Sequence, residues 1–86
     1  SRADSEFSER YEEIARQVAE QRALRKLSQK ELAELTGTTQ SAIARLEAGG
    51  RAPRTDTLLR IANALDCELV VELRPRTKTK TKRGGK

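Results

Sequence analysis

Eighty-six residues with 35% apolar and 2% aromatic content allow one small domain with a single modest core, built from Leu, Ile, Val and Ala because Phe7 and Tyr11 are the only aromatics. The net charge of +5 hides two opposite regions: residues 74–86 hold seven of the 18 Lys/Arg and no acid, whereas residues 1–73 carry 11 basic against 13 acidic side chains. A lone cysteine excludes an internal disulfide, and no run approaches the roughly 18 apolar residues of a membrane span.

These features, with no signal-peptide pattern at the start, lead us to expect a cytoplasmic chain without a membrane partner. The absence of histidine, of a base beside Cys67, of a carboxylate pair and of a glycine-rich phosphate loop argues against an enzyme and predicts no cofactor. Cys67 alone cannot hold a metal, and none is expected. It reads as a small buried apolar residue.

In chain order, the first predicted helix runs from about Ser8, as N-cap, to Lys26. Glu9, Glu12 and Glu13 sit favourably in its opening turns, and Phe7, Tyr11, Ile14 and Val18 form one apolar stripe. Ser28-Gln29-Lys30-Glu31 has the spacing of a capping box. It opens a second helix that should bury Leu32, Ala33 and Leu35, and Gly37 should end it in the left-handed conformation. Thr38 or Thr39 caps a third helix that turns Ile43 and Leu46 inward and stops at Gly49-Gly50. Pro53 makes residues 49–54 a loop. Thr55 should cap a fourth helix, with Asp56 in its first turn and Leu58, Leu59, Ala62 and Leu65 buried. From Cys67 to Leu73 the period changes to two, which predicts a half-buried strand. The Thr/Lys alternation after Pro75 is low-complexity and should lack fixed structure.

The expected fold is therefore all-α: about four helices followed by one short strand. The segments are an N-terminal extension (1–13), a helical domain (14–66), a strand (67–73) and a basic tail (74–86). The second and third helices, joined by one glycine, keep Gln40, Ser41 and Arg45 together on the outward side of the third. Residues 22–54 also hold seven basic and three acidic side chains, so positive charge gathers around that helix. An ordinary packed helix pair with solvated polar residues is the competing reading.

Leu27-Ser28-Gln29, Leu32-Ala33, Gly37, Gln40-Ser41, Ile43, Leu46-Glu47, Gly49, Pro53 and Leu58 to Leu65 together resemble the Xre/Cro-type helix-turn-helix family of phage-repressor-like regulators over residues 14–66. The resemblance implies a phage-repressor-like bundle whose second motif helix enters the major groove of double-stranded DNA. Gln40, Ser41 and Arg45 would then contact bases, since glutamine pairs bidentately with adenine and arginine with guanine. Ala44 departs from relatives with a longer polar residue there, which leaves one contact missing.

Gln29 falls on the family's phosphate-contacting position. Thr39, Arg51 and Arg54 would flank the groove, with Lys26 and Lys30 as weaker phosphate contacts. Arg22 and Glu47 resemble a structural ion pair. A lone strand leaves backbone groups without a ladder, so pairing with a second copy is expected. That homodimer would bury Leu69, Val71 and Leu73 and bind a palindromic operator as a repressor. Resemblance to HigA- or HipB-type antitoxins offers an alternative: a chain whose main partner is a toxin protein. The acidic stretch from Asp4 to Glu13 would face it.

Overall fold

The computed structural model describes residues 2–50 and 52–77 and contains four helices: α1 (Arg2–Leu24), α2 (Gln29–Thr36), α3 (Gln40–Glu47) and α4 (Thr55–Ala64). The all-α expectation holds. One core cluster joins them, with Val18 from α1, Leu32 and Ala33 from α2, Ile43 and Leu46 from α3, and Ile61 and Leu65 from α4 and its end. Ile14, Leu27, Ala64 and Cys67 close its edges. No helix among the described residues is long and apolar enough to cross a membrane.

The α2 start is the predicted capping box. The Glu31 amide donates to Ser28 Oγ at 2.9 Å, and the Ser28 amide donates to Glu31 Oε1 at 2.8 Å. At α3 the cap is Thr39, whose hydroxyl accepts from the Ala42 amide at 3.1 Å.

All four helices end the same way, on a left-handed residue followed by a pair of back-reaching amides: Lys26, Gly37, Gly49 and Asp66. At Gly37, the Thr38 amide reaches Ala33 O and the Gly37 amide reaches Glu34 O; at Lys26, the Leu27 amide reaches Arg22 O and the Lys26 amide reaches Ala23 O. Leu27 and Cys67, next after the two non-glycine terminators, fold back onto the core and hold those turns in place.

Several sequence expectations are corrected. α1 begins at Arg2, not Ser8, because nothing between Arg2 and Ser8 breaks a helix; Ser8 is interior and caps nothing. α1 stops at Leu24 rather than Lys26, where the left-handed turn intervenes. Phe7 lies on the apolar stripe but beyond the end of the core, and is 62% exposed. Leu35 and Leu59 are exposed too, since each sits on the outer side of its short helix. Ile61, not singled out, is among the three most deeply buried large side chains. Arg54, not Thr55, is the α4 cap residue, and its side chain makes no capping bond; Asp56 Oδ1 accepts from the Thr57 amide at 2.9 Å instead.

After α4, Cys67 and Leu69 are half-buried while Val70, Val71 and Leu73 are exposed. Residues 67–76 carry no regular secondary structure among the described residues. A strand takes its ladder bonds from a neighbour, so the strand expectation becomes a question about a second copy. The expectation of an unstructured tail falls mainly on residues 78–86, outside the described residues.

Candidate nucleic-acid interface

The turn between α2 and α3 is three residues, Gly37–Thr39. It is tight because Gly37 adopts φ +71° without a side chain to strain. α3 then packs against α2 and α1 through Ile43 and Leu46, and the Tyr11 hydroxyl donates to Leu46 O at 3.2 Å. At about 100° per residue, Gln40, Ser41, Ala44 and Arg45 fall on the side of α3 away from those anchors. Gln40, Ser41 and Arg45 are all exposed. Among the described residues none of the three has a side-chain hydrogen bond or ion pair. Their amide, hydroxyl and guanidinium groups are unused by the fold.

The end of α3 is tied down by the predicted Arg22–Glu47 pair. Arg22 Nε donates to Glu47 Oε2 at 2.6 Å and Nη2 to Oε1 at 3.0 Å, and Nη1 donates to Leu27 O at 2.8 Å. Arg22 thereby links α1, the α1–α2 turn and α3. The side chains are 19% and 7% exposed. Burial works to raise the Glu47 carboxyl pKa, but the Arg22 hydrogen bonds, the Gln29 hydrogen bond and the Arg22 charge outweigh it and hold it below the ordinary value. The Arg22 guanidinium is pushed up, chiefly by its hydrogen bond to Glu47.

Gln29 is the third member of this network, with Nε2 donating to Glu47 Oε1 at 3.1 Å. Nothing in the sequence marked that contact, which exists only because α3 folds back on the α2 start. One N–H of the Gln29 amide is committed to Glu47; the other remains a donor at the helix N-terminus. Thr39 spends a lone pair on its cap and keeps its hydroxyl proton. Arg54 is exposed, with Nη2 3.4 Å from Asp56 Oδ2. Arg51 lies outside the described residues. The structure thus brings Gln29, Thr39, Gln40, Ser41 and Arg45 to the α2–α3 motif, while Leu69, Val71 and Leu73 belong to the segment after α4.

A helix-turn-helix family profile matches residues 18–71. The chain is 40% identical over 60 residues to the uncharacterized HTH-type transcriptional regulator y4dL of Sinorhizobium fredii (strain NBRC 101917 / NGR234); the match covers 70% of this chain and 31% of that protein. The fold is similar to the crystal structure of the restriction-modification controller protein C.AhdI from Aeromonas hydrophila. The TM-score is 0.68 at 31% identity, covering 71% of this chain and 88% of that one. A profile match over more than half of the chain, falling on the same caps, turn and outward-facing helix, means that this chain belongs to the Xre/Cro-type helix-turn-helix family of DNA-binding regulators.

Proposed function

We propose that this chain is a sequence-specific transcriptional regulator, a repressor that binds a palindromic operator as a homodimer. The observation that carries the reading is the exposed, uncommitted trio Gln40, Ser41 and Arg45 on a helix anchored from behind by Ile43 and Leu46. In the major groove, Gln40 reads adenine, Arg45 reads guanine, and Ser41 donates or accepts as the base requires. Gln29, Thr39, Arg51 and Arg54 hold phosphates on either side and set register without choosing sequence. The regulator y4dL and the controller protein support the regulatory reading by what they are named for.

The dimer reading rests on apolar side chains that one copy leaves in water. Val71 and Leu73 are exposed, Leu73 at 101%, beside half-buried Leu69. Antiparallel pairing of residues 67–73 with the same segment of a second copy supplies the missing ladder and covers these side chains. Two α3 helices spaced about one DNA turn, roughly 34 Å, then meet two half-sites.

The test is selection of bound duplexes from a random pool, followed by affinity measurement. The wild-type chain is expected to enrich a two-fold-symmetric sequence. With each bidentate pair worth roughly 1–3 kcal/mol, Gln40→Ala/Arg45→Ala should lose at least about 30-fold in discrimination with unchanged melting. Retention of the same preference by that variant refutes the base-reading assignment. A Val71→Asp/Leu73→Asp variant that sediments like wild type refutes the dimer.

A further inference from the structure

Extended as a strand, residues 68–74 place Leu69, Val71 and Leu73 on one side and Glu68, Val70, Glu72 and Arg74 on the other. The first side joins the domain at one end only. Leu69 is half-buried, lining a groove with Ile14 and Leu58, while Val71 is 75% exposed and Leu73 wholly so. On the second side, Arg74 Nε donates to Glu72 Oε1 at 2.6 Å, as neighbours two apart on one side of an extended chain do. Among the described residues, Arg74 Nη1 and the Glu68 carboxylate have no hydrogen-bond or ion-pair partner.

We propose, resting on the homodimer reading above, one register for that interface: the two-fold axis passes beside Val71, so that Leu69 faces the partner's Leu73 and Glu68 faces the partner's Arg74. Directly opposed residues of an antiparallel pair share a face, and a two-fold axis perpendicular to the ribbon preserves faces, so the axis must pass beside a residue that meets its own copy. Beside Val70, Glu68 would face the partner's Glu72 twice over, and directly opposed like charges destabilise. Beside Glu72 or Leu73, Pro75 falls opposite Leu69 or Val71 and has no N–H to give the ladder. Beside Leu69, the position facing Leu73 is Leu65, which is buried at the end of α4.

Beside Val71 no like charges meet and no proline enters the ladder between residues 68 and 74. Leu73 joins the apolar edge that the partner's Leu69 forms with its own helices. Arg74 sits between its own Glu72 and the partner's Glu68, and the guanidinium has donors for both. The register has a consequence for the two α3 helices. Moving the axis by one residue slides the copies by two, about 6.6 Å, which is nearly two base-pair steps of about 3.4 Å. Glu68 and Arg74 thereby control the spacing of the half-sites without touching them.

The experiment uses the full chain without DNA. In a Cys67→Ser background, Val70→Cys, Val71→Cys and Glu72→Cys are each oxidised at a concentration where the wild-type chain sediments as a dimer. Facing Cα atoms lie about 4.5–5.5 Å apart, within disulfide reach, whereas Val70 and Glu72 lie about 8 Å from their own copies. Val71→Cys should therefore crosslink at least about tenfold faster than the other two. Charge reversal in the native-cysteine background is the second measurement. Glu68→Arg and Arg74→Glu should each weaken self-association by about 2- to 30-fold, because each dimer holds two such cross-strand pairs. Mixing the two variants should restore association, since in the mixed dimer both pairs are again of opposite sign. Crosslinking at Val70→Cys or Glu72→Cys that matches Val71→Cys, tighter self-association of Glu68→Arg, or no recovery on mixing overturns the register and leaves the homodimer standing. A wild-type chain that sediments only as a monomer overturns both.

Discussion

Glu47→Ala removes the acceptor on which three hydrogen bonds converge, two from Arg22 and one from Gln29. Breaking a fully buried ion pair by deleting one partner costs about 3–5 kcal/mol, because the other charge is left without compensation. Arg22 is 19% exposed and retains its bond to Leu27 O, so part of its charge rehydrates. The expected loss is therefore about 2–3 kcal/mol. In a domain of this size 1 kcal/mol moves the melting temperature by about 4–8 °C, which predicts a fall of roughly 10–20 °C. Helical circular dichroism against temperature at neutral pH measures it. Arg22→Ala/Glu47→Ala should be no worse than Glu47→Ala by more than a few tenths of a kcal/mol, since the pair is already broken. A single variant that melts with wild type, or a double variant whose losses simply add, would refute the network.

The same carboxylate sets a pH dependence. Its pKa in the folded state lies below the ordinary 4.5, so its contribution to stability is present above that value and lost as pH falls through the folded-state pKa. The melting difference between wild type and Glu47→Gln should therefore be present at neutral pH and vanish in strong acid; a difference that grows on acidification refutes it. At the left-handed positions the sign depends on the residue. Gly37→Ala meets nothing within 4 Å but is forced to φ +71°, and should cost about 1–2 kcal/mol. Lys26→Gly, at φ +58°, should stabilise by about 0.5–1 kcal/mol in denaturant titration. Leu32→Ala, at a site with 0% exposure, should cost about 2–5 kcal/mol and leave little folded chain at 37 °C.

Much of the fold was legible because its local signals are chemical. A hydroxyl three residues before a carboxylate made Ser28 a cap, and a single glycine between two apolar patterns made Gly37 a terminator. What escaped was set by tertiary position. Lys26 and Asp66 carry no glycine signature, yet they end helices because Leu27 and Cys67 are pulled into the core just after them. Phe7 continues the stripe of Tyr11 and Val18, but a periodicity does not say where the facing helices end. Ile61 and Leu59 are both apolar and two residues apart; only the packing of α4 against α2 decides which is buried. In the site, the outward face of α3 followed from its period. The tie of Gln29 to Glu47 did not, because it joins residues 18 apart through the turn geometry.

An isolated helix shorter than about 12–15 residues is marginal in water, and α3 has eight. The orientation of Gln40, Ser41 and Arg45 is therefore borrowed from other groups: the Thr39 cap, the Ile43 and Leu46 anchors, the Tyr11 bond to Leu46 O and the Arg22–Glu47 tie. Those groups take up the structural burden of the helix, while the three outward side chains carry none of it. The residues that hold α3 in place are thus different from the three that it presents outward. Substitution at Gln40, Ser41 or Arg45 therefore costs folding little, whereas loosening Arg22, a whole α2 and two turns away in sequence, would disturb the orientation of all three at once.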